Sequence, residues 1–110
     1  MSDAADAQPQ AGPVFFDRRE LDQILRVYGR MVASGEWRDY GVASHRELAE
    51  FAVYRRSGDA PAYRIEKRPA LRLKQGQWAV IGEGGVVLRR GRDLAQVLRV
   101  FDSRRFSVVE

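Results

Sequence analysis

Apolar residues recur at helical spacing near the start of the chain, in the segment FFDRRELDQILRVYGRMVASG. The repeating positions are Leu21, Ile24, Leu25, Tyr28, Met31 and Val32. This period places them along one face of an amphipathic helix. Asp17 and Glu20 have the spacing of a capping box, and Phe16 with Leu21 has that of a hydrophobic staple. Because glycine commonly follows the last residue of a helix, Gly35 marks its end.

From Trp37 to Arg90 the pattern changes to short segments of alternating apolar and polar residues, which is typical of β-strands. The predicted strands lie in EWRDYGVA, LAEFAVYRR, AYRIEKR, GQWAVIG and VVLRRG. SGDAP and EGG supply turns between them, and Pro69 ends or bends the ladder by removing a donor.

A second helical stripe lies in GRDLAQVLRVFD, where Leu94, Val97, Leu98 and Phe101 repeat and Asp93 and Gln96 have capping-box spacing. The order of elements predicts an α+β fold. It consists of a long N-terminal helix, an antiparallel meander of about four or five strands, and a short C-terminal helix.

Residues 1–13 contain little that a core could bury, so we predict a disordered tail followed by a single α+β domain over residues 14–110. The last segment, SRRFSVVE, is expected either to add an edge strand or to fray. The chain start resembles no secretory signal and no apolar run is long enough for a spanning helix, so we expect a cytoplasmic protein without a membrane partner.

Few residues point to catalysis. The chain has no cysteine and a single histidine, His45, which removes thiol chemistry, disulfides and cysteine-based metal sites. Ser44 precedes His45, but neighbours on an extended chain point to opposite faces and cannot act as a nucleophile–base pair. The GEGG stretch at residues 82–85 lacks the spacing and context of a nucleotide-binding loop. We therefore expect neither an enzyme nor a cofactor or metal, and an enzyme that uses a lone carboxylate is the third hypothesis after the two binding modules described below.

Charge is spread unevenly. The net charge is +4, yet residues 53–92 hold ten basic and three acidic residues. Strand parity places Tyr54, Arg56, Arg64 and Arg68 on the face turned away from the helices, with Glu66 among them. Arg72 and Lys74 follow in the next segment. Bases stack on aromatic rings and phosphates bind guanidinium groups, so these six residues predict a site for nucleic acid or another polyanion. A solvated sheet face is the simpler interpretation of the same pattern.

A protein-interaction module is the competing hypothesis, with an exposed sheet edge or an aromatic patch around Trp37 and Tyr40 as the contact surface. The sequence leaves the oligomeric state open.

The segments LDQILRVYGRMVASGEWRDYGV, VYRRSGDAPAYRIEKRPAL and RRGRDLAQVLRV together resemble a family of short alphaproteobacterial proteins classed as a domain of unknown function. The similarity runs from about residue 15 to 101, and YGRM…GEWRDY and YRIEKRP are its most specific phrases. The resemblance implies a small cytoplasmic bacterial protein and brings no assigned activity, ligand or catalytic residue.

Overall fold

The computed structural model describes residues 12–103 as two α-helices, two short 3-10 turns (Pro69–Leu71 and Glu83–Gly85) and a five-stranded antiparallel sheet. The elements are α1 (Arg18–Ala33), β1 (Asp39–Ser44), β2 (Ala49–Tyr54), β3 (Tyr63–Lys67), β4 (Trp78–Ile81), β5 (Val87–Gly91) and α2 (Leu94–Ser103). The predicted α+β fold is confirmed. Most of the tail predicted as disordered, and the last segment beyond Ser103, lie outside the described residues.

The sheet is a plain meander, in which every strand pairs with the next one along the chain. Phe51 stands opposite Ile65, and Ile65 opposite Val80, so the apolar residues of the three central strands share one face. The ladder is irregular only where β5 pairs with β4, because Arg89 opposes Val80 while Val87 opposes Ile81, which leaves Leu88 as a bulge. The prediction that Phe51, Val53, Tyr63 and Ile65 share the face that packs on the helices is confirmed.

Both helices pack on that apolar face. Phe51, Val53, Ile65 and Val80 are fully buried and form one cluster with the stripes of α1 and α2. Burying side chains of this size stabilises the fold by about 1.5–3 kcal/mol each. The opposite face of the sheet, called the outer face below, carries no helix among the described residues.

Local sequence signals determine where α1 begins and ends. The Asp17 carboxylate accepts the N–H of Glu20, and the Glu20 carboxylate accepts the N–H of Asp17, both at 2.8 Å, so the predicted capping box is present. Gly35 ends the helix with a φ of 84°, in the left-handed region that favours glycine. At the start of α2 the Asp93 carboxylate accepts the N–H of Ala95.

A partly buried ion pair fixes the start of α1 to the sheet. Lys67, on the helix-covered face of β3, donates from Nζ to Glu20 Oε1 at 2.7 Å and to the carbonyl oxygen of Phe15 at 2.9 Å. Beside it the Phe16 ring stacks on Trp78 at 6.2 Å between centroids. These contacts hold α1 across the end of β3 and the start of β4, on the side of the sheet opposite the outer face.

Candidate functional site

The middle of the outer face combines small residues with charged ones. Gly41 stands opposite Ala52, and Ala52 opposite Arg64, while Glu66 stands opposite both Glu50 and Ala79. Arg90 of β5 opposes Ala79 and therefore lies on the same face. Ile81 stands opposite Arg64 on the same face and is 5% exposed, so the apolar residues here are buried and the arginines are the more accessible groups.

Glu66 lies between two of the predicted site residues. Its side chain is 11% exposed, with one oxygen 3.7 Å from Arg64 Nη1 and the other 3.9 Å from Arg68 Nη2. Arg68 also has Glu47 at 4.0 Å. These separations exceed the roughly 2.7–3.2 Å of an N–H···O hydrogen bond. One carboxylate thus serves two guanidinium groups, each about one-third exposed, and leaves them with N–H groups for a further anion.

The connection between β3 and β4 brings more cations to one end of the sheet. The Arg68 N–H donates to the Gln77 carbonyl at 2.7 Å, and the Gly76 N–H to the Leu71 carbonyl at 2.8 Å, which closes this segment on itself. Arg90 Nη1 reaches the Gly76 carbonyl at 3.4 Å. The backbone of Gly76 packs directly on that of Gly91.

This packing gathers basic residues from the connection and from the end of β5. We call the set the basic end, and its members are Arg68, Arg72, Lys74, Arg90 and Arg92. Arg72, Lys74 and Arg92 are exposed. Within residues 12–103, no carboxylate lies within 4 Å of any member except Arg68. The basic end is therefore an excess of positive charge that the described part of the protein leaves largely unneutralised.

Arg90 and Arg92 were not assigned to the site from the sequence. Their place follows from the β4–β5 register, in which Trp78 opposes Gly91, and from the contact of Gly76 with Gly91. The one sequence feature that indicates this contact is the pair Gly76 and Gly91. Glycine lets two backbones approach closely because it has no side chain. Arg89 points to the helix side and donates to the Gln96 carbonyl.

The other predicted residues lie away from the basic end. Tyr54 is half-buried on the outer face at the end of β2, and Arg56 is exposed in the connection between β2 and β3. Arg64 lies near the middle of the face, about 13 Å along β3 from Arg68 at the usual rise per residue. Tyr54, Arg64 and Arg68 thus lie on the outer face, whereas Arg72 and Lys74 lie in the β3–β4 connection. The prediction that Arg56 continues the strand face is wrong, because β2 ends at Tyr54. The six residues do not form one cluster.

The aromatic patch predicted as the alternative contact surface loses one member. Trp37 is 3% exposed and packs edge-on against Phe101 at 4.9 Å, so its ring lies in the core and is not available to a partner. Tyr40 is 42% exposed on the edge strand β1, with its ring stacked on Phe51 at 4.8 Å.

Groups that could support catalysis are sparse in the described residues. Ser44 and His45 point to opposite faces, and His45 Nε2 lies 3.8 Å from Glu50 Oε1. No group of three or more His, Cys, Asp or Glu side chains among residues 12–103 is arranged to hold a metal ion.

Burial, with smaller contributions from Asp39 and Tyr40, raises the pKa of Tyr28 above its ordinary value of 10.0.

Together these features define a small α+β domain whose sheet has one face that neither described helix covers and that is basic at one end. The chain belongs to the family described as a protein of unknown function (DUF2794), whose model matches residues 14–98. No curated protein and no solved structure matches the chain. Membership of a domain-of-unknown-function family is thus confirmed, while the alphaproteobacterial origin stays a prediction. None of the described helices is long and apolar enough to cross a membrane.

Proposed function

We propose that the protein is a small, non-enzymatic, cytoplasmic module that binds nucleic acid or another polyanion through the basic end and the adjoining outer face. The observation that supports the proposal is the location of five cations at one end of the sheet, in the β3–β4 connection and at the end of β5, where the backbones of Gly76 and Gly91 are in contact. Four of the five have no carboxylate within 4 Å in the described part of the chain. Unneutralised Arg and Lys side chains on one surface are the usual electrostatic footprint of a phosphate-binding protein.

The members of the site have different expected roles. Arg72, Lys74 and Arg92 are exposed and are assigned the main phosphate contacts. Arg64 and Arg68 share Glu66, which weakens their attraction for a second anion. Tyr54 remains the candidate for base stacking, and it contacts a strand bound at the basic end only if that strand continues along β3. A ligand that spans both parts must be an extended one.

The test is fluorescence anisotropy of a labelled single-stranded RNA and a single-stranded DNA, each about 20 nucleotides long, titrated with the protein at several salt concentrations. Five phosphate contacts predict a slope of log K against log salt near −3.5, at about 0.7 per contact. Raising salt from about 50 to 200 mM then weakens binding roughly 100-fold.

A matched pair of charge reversals locates the site. Arg72→Glu/Lys74→Glu removes two contacts and should reduce the slope by about 1.4. Arg26→Glu/Arg99→Glu changes the net charge equally at exposed positions on the two helices and should leave the slope unchanged. No binding at low salt, or equal losses in both variants, would refute the proposed site.

A further inference from the structure

The outer edge of β1 is regular, and no strand of residues 12–103 pairs with it. All six of its residues pair with β2 without a bulge. The His45 N–H donates to the Leu48 carbonyl at 2.8 Å, which fixes the phase of the ladder. Because inward and outward groups alternate along an antiparallel strand, Tyr40, Val42 and Ser44 turn their N–H and C=O groups away from β2. The Tyr40 N–H is held by the Asp39 carboxylate at 2.8 Å.

The two edges of the sheet differ in how they are protected. On β5 a bulge at Leu88 interrupts the ladder, and Arg89 and Arg90 add charge, two common devices that discourage strand addition. Between Asp39 and Ser44 there is no Lys, Arg, Pro or bulge. β1 is therefore the edge at which a further strand pairs most readily.

Apolar side chains accompany this edge. Val42 is 48% exposed and Tyr40 is 42% exposed, both on the side of the sheet that the helices cover. Tyr28 of α1 contacts the Tyr40 ring at 4.8 Å, so the helix reaches as far as the edge strand. An added strand would find backbone partners at β1 and apolar side chains beneath α1.

We propose that the occupant is β1 of a second copy of this chain, paired antiparallel about a two-fold axis at Val42. In this register Val42 lies opposite Val42 of the second copy. Tyr40 lies opposite Ser44 of that copy, and Gly41 lies opposite its Ala43. The outward-facing groups then form about six hydrogen bonds between the copies. Two of the six replace an existing bond, because each Tyr40 N–H has to leave the Asp39 carboxylate for the Ser44 carbonyl of the second copy. The sheet becomes continuous across the two chains.

Polar complementarity supports this register. Asp39 stands opposite His45 of the second copy on the outer face, so a carboxylate lies opposite an imidazole twice in each dimer. Within each chain the same imidazole lies 3.8 Å from Glu50. Arg38 and Arg46 would oppose each other just beyond the ends, where both are exposed and have room to turn into solvent. The inference is independent of polyanion binding, because no member of the basic end belongs to β1.

Sedimentation velocity on the full chain, up to about 300 µM, tests the proposal, since dimer formation follows mass action. The expected species has twice the 12.5 kDa mass of the chain. Val42→Lys should raise the dissociation constant of the dimer at least tenfold. Val87→Lys is the matched control, because Val87 is 50% exposed on the other edge and should leave the dimer intact.

A charge swap tests the register itself. Asp39→Lys should weaken the dimer, and Asp39→Lys/His45→Asp should restore it by exchanging the two opposed charges. A wild-type monomer at the highest concentration would overturn the proposal, even if another protein were found on this edge. A dimer that persists in Val42→Lys, or that Val87→Lys weakens equally, would overturn it as well.

Discussion

Gly76 holds the basic end together, and its replacement by alanine is expected to separate the two parts of the site. Its φ of 103° is one that residues with a side chain rarely adopt. A Cβ at this position would overlap the carbonyl group of Gly91 and lie 2.8 Å from the backbone nitrogen of Arg92. Neither neighbour is a flexible side chain, so the β3–β4 connection has to move away from β5.

The expected loss of unfolding free energy in Gly76→Ala has two contributions. A positive φ costs an L-residue about 1–2 kcal/mol. Overpacking against a fixed neighbour costs about 1–3 kcal/mol more. Gly84 is the matched control, because its φ is 76° but nothing lies within 4 Å of its Cβ position. We expect Gly84→Ala to lower the free energy of unfolding by about 1 kcal/mol and Gly76→Ala by about 3 kcal/mol or more.

Urea unfolding followed by circular dichroism measures both variants. With a slope of about 1.5–2 kcal/mol/M for a chain of this size, the midpoint should fall by about 0.5 M for Gly84→Ala and by about 1.5–2 M for Gly76→Ala. The folded fraction of Gly76→Ala should also bind RNA less tightly than that of Gly84→Ala. Equal midpoints for the two variants would refute the reasoning that the Gly76–Gly91 contact is sterically closed.

Three further predictions concern single side chains. Glu66→Gln removes a carboxylate from the outer face and should tighten RNA binding about threefold in the anisotropy assay. This corresponds to a repulsion of roughly 0.6 kcal/mol between the carboxylate and a phosphate about 7 Å away in water. Unchanged affinity would place the ligand elsewhere. Lys67→Ala leaves Glu20 without its cation and should cost about 2–3 kcal/mol in urea unfolding, whereas a loss under about 0.5 kcal/mol would show the pair to be immaterial. Burial, aided by Asp39, raises the pKa of Tyr28, so the folded state holds this proton more tightly than the unfolded chain. The resulting stabilisation is present below pH 10.0 and is lost as the pH rises through the raised value. Phenolate absorbance should show a late step that is missing in Tyr28→Phe, and an identical profile in that variant would contradict the assignment.

Most of the fold could be predicted because its signals are local. The capping box at Asp17 and Glu20 lies within one turn of helix, and strand alternation sorted Phe51 from Ala52 correctly because side chains on a strand alternate strictly. The bulge at Leu88 was not predicted, because VVLRRG has three apolar residues followed by two arginines and so indicates no phase for the strand. Such an irregularity depends on the partner strand and leaves no pattern of its own.

The site could be predicted only in part, because it depends on contacts between distant segments. Charge counts pointed to residues 53–92 but not to their arrangement. Arg92 joins the site through the contact of Gly76 with Gly91, and Arg56 lies apart from it because the β2–β3 connection is at the other end of the sheet. Trp37 was a candidate surface residue, yet its position before β1 buries it against Phe101. Strand pairing and helix packing decide each of these outcomes.

The most direct test of polyanion binding at the basic end is a titration of isotope-labelled protein with a short single-stranded RNA, followed by amide chemical shifts. The largest changes should occur at residues 68, 71–76 and 90–92 and should disappear as salt is raised. Changes confined to α1 and α2, or none at low salt, would contradict the proposal. The outer face would then be an ordinary solvated sheet surface.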